Sequence, residues 1–370
     1  MARRILLTAS TYSHIANFHL PYIRTLTECG YEVDVACGSK PQELPYVSRI
    51  IHLPLKKSML SLSNFSAVKI MRKEIRSNEY ALISCHTSLA AFFTRLAVLS
   101  MSHKPPVVCT AHGYLFDDTT SGLKKALLVG AEKITAPVTT LLMTMNAWDD
   151  AFARAHHLGK TIVSIPGMGV DFSAMRQPPP DECMEFRRGL GFLEQDFLLV
   201  YAAEFSKRKN HEVLLRAVAE LPETVKLLLP GDGALRTDCM ALAKSLGMEQ
   251  RVVFPGQVHN MPLWYGIADG AVSSSRSEGL PFNIMEAMGA GLPVVASAVK
   301  GHTDLIQPGM NGLLFPSDDP AACQKQLALL LEDPDLCRRL GANAKASMEA
   351  YDLSCVMPQI LDHYYAMLKQ

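Results

Sequence analysis

Glu278 and Glu286 stand with seven residues between them in Ser275-Arg-Ser-Glu-Gly-Leu-Pro-Phe-Asn-Ile-Met-Glu286. An apolar strand-like run, Gly270-Ala-Val-Ser-Ser, precedes them, and a helix-like run, Ile284-Met-Glu-Ala-Met-Gly-Ala, carries the second acid. A strand, a tight turn and a helix N-terminus leave unpaired N–H groups and the positive end of the helix dipole pointing outward, which suits an anion. Gly279, Leu280, Pro281, Phe282 and Asn283 would supply that turn and helix start. Glu278 on the turn and Glu286 about a turn and a half into the helix could then accept hydrogen bonds from hydroxyl groups. A phosphate held by amides and flanked by two hydroxyl-binding carboxylates suits a nucleotide sugar. Taken alone, such a pair reads as two solvated acids.

Other residues could serve the same chemistry. In Tyr201-Ala-Ala-Glu-Phe-Ser-Lys-Arg-Lys-Asn-His211 three successive cations, Lys207, Arg208 and Lys209, lie between a strand and a helix. Facing a diphosphate they would neutralise charge developing on a leaving group; facing solvent they are a basic turn. Leu229-Pro-Gly-Asp-Gly233 ends a strand with Gly231 and Gly233, whose missing side chains let backbone approach a ligand. In Val107-Val-Cys-Thr-Ala-His-Gly-Tyr114, His112 falls at a strand's C-terminal end, where an imidazole can donate a hydrogen bond or buffer charge. His14 and Asn17 lie after the first strand, where Ser13 or Asn17 could instead cap a helix. His86 in Ser84-Cys-His-Thr87 is a candidate of the same kind.

The stretch from Glu278 through Glu286 to Ala287-Met-Gly-Ala-Gly-Leu-Pro-Val-Val-Ala296 resembles the EX7E signature of glycosyltransferase family 4, retaining enzymes of bacterial polysaccharide assembly with the GT-B fold. The resemblance implies a catalytic set of His112, Glu278 and Lys209. It also implies a nucleotide-sugar set of Glu286, Arg208, Gly231, Gly233, Val258 and Gly279 to Asn283, and an acceptor side at His14, Asn17 and His86. Lys209 matches the lysine of the family's diphosphate motif, whereas Glu204 occupies the position of its arginine, so Arg208 is a substitute from the loop. Phe254-Pro-Gly-Gln-Val258-His resembles the segment that cradles the base, and Thr110-Ala-His-Gly113 the context of the family's histidine that contacts the donor sugar. The first loop lacks the Gly-Gly pair common in the family. The implied donor is a UDP-hexose or UDP-N-acetylhexosamine, and the acceptor a saccharide on polyprenyl diphosphate in capsular or extracellular polysaccharide synthesis. No Asp-x-Asp-like metal site is evident, so neither metal nor other cofactor is expected. A GT-B epimerase and a non-catalytic GT-B partner subunit are the alternatives.

These side chains need two scaffolds. The chain has 370 residues, too many for one ordinary core, and is 48% hydrophobic and 19% charged. Lys+Arg and Asp+Glu both number 36, which argues against nucleic acid as a partner. Nine scattered cysteines without a C-x-x-C pair suggest reduced thiols in a cytoplasmic protein. The N-terminus lacks a signal-peptide pattern, and the apolar segment from Ser88 to Ser100, interrupted by Arg95, reads as a buried helix. Basic groups at Lys56-Lys57, Lys69 to Arg76 and Lys124-Lys125 could attract anionic lipid at the inner face of a membrane, or form solvated helix faces.

Thirteen short strand-like runs alternate with helical stretches, predicting α/β architecture with parallel sheets: a GT-B arrangement of two doubly wound Rossmann-like domains facing across a cleft. The expected divisions are an acceptor-side domain at 1–175, a Pro-rich linker at 176–182 and a nucleotide-sugar domain at 183–350. A last helix at 351–370, with Pro358 as a breaker, would cross back to the first domain.

Overall fold

A computed structural model of the chain describes residues 3–56, 61–176 and 178–369. The thirteen strand-like runs are thirteen strands. The first seven are β1 (Arg4–Ala9), β2 (Glu32–Cys37), β3 (Arg49–His52), β4 (Leu82–His86), β5 (Val107–Ala111), β6 (Leu141–Thr144) and β7 (Thr161–Ser164). The remainder are β8 (Phe197–Val200), β9 (Val225–Pro230), β10 (Val252–Gly256), β11 (Gly270–Ser273), β12 (Val294–Ser297) and β13 (Leu313–Phe315). They form two all-parallel sheets, ordered β3-β2-β1-β4-β5-β6-β7 and β10-β9-β8-β11-β12-β13. Central strands such as β4 and β11 are buried along their whole length, because helices cover both faces of a parallel sheet. In each sheet the winding reverses once, between β1 and β4 and between β8 and β11. At such a switch point the loops leaving adjacent strands diverge and open a crevice for a ligand.

The sheets belong to two compact units. One runs to Met168 and resumes at Val356; the other is Gly169–Cys355. The division therefore falls before the expected 176–182 linker. Pro180 opens the helix Pro180–Gly189 in the second unit, a position where the missing N–H has no intrahelical partner to lose. Pro358 does not break the last helix, which runs unbroken over Leu353–Leu368. Its buried stripe of Val356, Ile360, Leu361, Tyr364 and Leu368 holds it down, and the Tyr364 hydroxyl lies 2.6 Å from Ser84 Oγ. Met1, Ala2, Lys57, Gln177 and Gln370 of the sequence reading lie outside the described residues.

The helix Ser88–Leu99 is buried as read, and the fully buried Arg95 is matched by Glu132, whose Oε2 lies 2.9 Å from Nη2. No disulfide joins any of the nine cysteines. Among the described residues no helix is long and apolar enough to cross a membrane.

Candidate active site

In the second unit the loops after β8 and β11 leave the switch point side by side and are tied together. The Tyr201 hydroxyl donates to the Lys209 carbonyl at 2.9 Å and lies 2.8 Å from Ser275 Oγ. Ser274 Oγ donates to the Asn210 carbonyl at 2.9 Å, and the Arg276 amide to the Arg208 carbonyl at 2.8 Å. Asn210, at φ 52°, makes the left-handed turn that starts the helix His211–Ala219. These ties bring Lys209 and Arg208 onto one carboxylate. Lys209 Nζ is 2.6 Å from Glu278 Oε1 and Arg208 Nη1 is 2.6 Å from Oε2.

Glu278 is buried, which by itself would raise its carboxyl, but the Lys209 and Arg208 charges outweigh that and hold it at about 2. It is therefore an anion at any physiological pH and cannot act as a proton donor. Burial pulls the Lys209 ammonium below its usual range, and Glu278 opposes the pull. Lys209 and Arg208 thus stand together at the switch point, with Glu204 also acting on Lys209, and an incoming phosphate would meet both cations.

A third loop closes over Glu278. Gly301 has φ +83°, and a Cβ there would sit 2.8 Å from the Gly279 carbonyl oxygen and 2.9 Å from Glu278 Cβ. The next residue, His302, is fully buried; its Nδ1 donates to the Ser297 carbonyl at 2.8 Å while Nε2 has no partner. Burial holds its imidazole down at about 4. Sequence reasoning passed over His302, although a Gly-His pair just beyond an apolar strand was a usable signal.

Glu286, in the helix Phe282–Gly289, sits apart from the ion pair and accepts a 2.9 Å hydrogen bond from Tyr265. Burial raises its carboxyl, and the Tyr265 bond opposes that rise. Tyr265 had no sequence signal beyond a buried aromatic. Gly279, Leu280 and Pro281 lead into this helix, Phe282 and Asn283 begin it, and Val258 follows β10. The two loop glycines have a structural reason. A Cβ on Gly231 would lie 2.0 Å from the Ala203 carbonyl oxygen, and one on Gly233 would lie 2.6 Å from that of Phe205. Their φ values of +146° and +153° serve a close crossing of the chain's own backbone. Glu204 is exposed.

In the first unit the sequence candidates converge. His14 lies in the helix Tyr12–Phe18, capped by Thr11 rather than by Ser13 or Asn17. His86 ends β4 and His112 follows β5. His19, which sequence reasoning missed, joins them, its ring centroid 3.9 Å from that of His86. His86 Nδ1 is 3.2 Å from His112 Nε2, and the His14 ring meets the His112 ring edge-on at 4.6 Å. Asn17 is exposed. Burial holds all four imidazoles down, His14 at about 4 and the others well below their usual value. His112 is thus neutral at physiological pH. It can donate or accept a hydrogen bond, and burial disfavours the charged form that buffering would use.

The buried imidazoles give the fold an acid limit. A histidine whose folded value lies below its unfolded 6.5 binds protons preferentially in the unfolded state, so stability is full above pH 6.5 and falls as pH drops toward the folded value. For His302, moving from 6.5 to about 4, the loss at pH 5 is about 2 kcal/mol. The melting temperature should fall between pH 7 and 5, and His302→Gln should reduce the slope; equal slopes for the two proteins would mean that His302 titrates normally.

Two doubly wound units, each with its polar residues gathered at a switch point, have the layout of the GT-B fold. The chain is similar over 99% of its length to 99% of the solved sucrose-phosphate synthase of Thermosynechococcus elongatus, at TM-score 0.83 and 22% identity. It is likewise similar over 98% of its length to the whole of Anabaena HepE, solved with UDP and glucose, at TM-score 0.82 and 20% identity. Residues 184–347 match the family described as Glycosyl transferases group 1, and residues 22–153 match Glycosyltransferase Family 4. A Bacillus subtilis (strain 168) protein described as a glycosyltransferase, EpsD, is 32% identical over 375 residues, spanning 100% of this chain and 98% of that protein. The chain belongs to glycosyltransferase family 4 and is a transferase.

Proposed function

We propose that the chain moves a hexose or N-acetylhexosamine from a UDP-sugar, with retention, to a lipid-linked saccharide in capsular or extracellular polysaccharide assembly. The observation that carries this reading is the Lys209–Glu278–Arg208 group at the second switch point, which places two cations together beside the start of Phe282–Gly289. When the bond between the anomeric carbon and the diphosphate oxygen breaks, charge grows on the diphosphate. Lys209, Arg208 and the amides at the start of Phe282–Gly289 stabilise it without reorganising. Glu286, oriented by Tyr265, accepts from the ribose hydroxyls, and the ionised Glu278 accepts from hydroxyls of the sugar. His112, neutral, is the hydrogen-bonding group from the first unit. HepE, of the same fold, was solved with UDP and glucose, which supports the choice of nucleotide.

Support for a lipid-linked acceptor comes from one helix of the first unit, Gly122–Thr135. It exposes Leu123, Leu127 and Ile134 on one face, with Lys124 and Lys133 to either side. Apolar residues flanked by lysines suit peripheral contact with an anionic bilayer.

The test is UDP release from a panel of UDP-sugars, with and without a polyprenyl-diphosphate saccharide, in EDTA. Acceptor-dependent release that persists in the chelator is expected, because amides and cations hold the diphosphate. Loss of turnover in EDTA, restored by magnesium or manganese, would remove the metal-free mechanism. Sugar isomerisation without acceptor would replace transfer by epimerisation.

A further inference from the structure

We propose that His14, His19, His86 and His112 form a binding site for a divalent transition metal of the zinc, nickel or copper class. One ring nitrogen from each lies within 4.8 Å of one from every other. Four nitrogens around a tetrahedral zinc at about 2.0–2.1 Å stand roughly 3.4 Å apart, so modest side-chain closure suffices. The contact between His86 Nδ1 and His112 Nε2, at 3.2 Å, already has that spacing.

A second observation points to a ligand. His14 Nε2 and His19 Nε2 are both buried with no hydrogen-bond partner, and His19 is only 1% exposed. Buried polar groups normally find partners, and two orphan nitrogens within one histidine group are explained by a guest that accepts their lone pairs.

The surroundings resemble those of a metal site. Ser84 Oγ holds His86 Nε2 at 2.9 Å and is itself held by the Tyr364 hydroxyl at 2.6 Å. Ligating histidines are commonly fixed through their second nitrogen in this way. The four residues come from the first helix, the turn after it, and the ends of β4 and β5, so packed elements set their positions. The donor set is all imidazole, which favours zinc, nickel and copper over magnesium, calcium or manganese. The site is therefore distinct from any magnesium or manganese requirement at a diphosphate. Occupancy would engage His112, so metal binding should inhibit transfer; this consequence alone rests on the role proposed for His112.

The test uses the full-length, tag-free chain, stripped with chelator and titrated with cobalt(II) as an optical probe. One equivalent should bind with the strong visible absorption of tetrahedral cobalt, and zinc should displace it. Ser84→Ala should weaken binding about 10–100-fold, and His19→Ala by more than that. A weak octahedral spectrum in the wild type would overturn the proposal whether or not the variants fold. So would cobalt binding that survives His19→Ala unchanged, which would trace it to exposed histidines such as His52 and His103. Zinc at one equivalent should then block transfer reversibly; tetrahedral binding with an unchanged rate would leave the metal site standing and remove His112 from catalysis.

Discussion

Glu278→Ala should destabilise the protein by about 3–5 kcal/mol, because it strips the counter-ion from a buried ammonium. The Lys209 and Glu278 side chains are only 11% and 6% exposed, so water cannot replace the carboxylate at little cost. Lys209→Met should be milder, since Glu278 keeps Arg208 at 2.6 Å. The double variant should be more stable than Glu278→Ala alone, because neither ion is then left buried and unpaired. Denaturant titrations of the three variants measure this directly. A Glu278→Ala protein as stable as wild type would mean that Lys209 is solvated and that the loops after β8 and β11 are not held by this pair. Acid gives a second readout. The Glu278 contribution is full above the unfolded carboxylate value of about 4.3 and is lost as pH falls through its folded value of about 2.

His112→Ala should lower kcat about 10²–10³-fold while leaving UDP affinity unchanged. The expected loss is that of one hydrogen bond made mainly in the transition state. UDP affinity is assigned to residues of the second unit, which His112 does not belong to. Lys209→Ala should differ, because the lysine meets the diphosphate in both ground and transition states, so binding and rate should fall together. The competing account treats His112 as packing against His14 and His86. It expects a lower melting temperature with normal specific activity in the folded fraction. Steady-state kinetics on material corrected by melting curves separates the two, and a near-normal kcat would rule out catalysis by His112.

The strands were legible because each is a short apolar run between turn-forming residues, and parallel packing demands such runs. The Glu278–Lys209 partnership was only half legible. Both residues were readable as anion-site groups, but their contact depends on β8 pairing with β11, a long-range fact about strand order. The same reason hid the histidine cluster. His14, His86 and His112 were separate readings, and His19 was none, until β1 and β4 became neighbours. Gly231 and Gly233 were legible as glycines for a close backbone approach, but that they accommodate the backbone of Ala203 and Phe205 was not. Pro358 looked like a break because the local rule disfavours proline inside a helix, and tertiary burial of the Val356–Leu368 stripe overrides it.

The proposed function requires the second unit to hold a nucleoside diphosphate through the Lys209 group and Glu286. Calorimetric titration of UDP into wild type and Glu286→Ala, both in EDTA, tests it most directly. One site in the wild type and a loss of about 1.5–3 kcal/mol in the variant are expected, as for a hydrogen bond to a charged group. Equal UDP affinity in the two proteins, or no binding by the wild type, would contradict it.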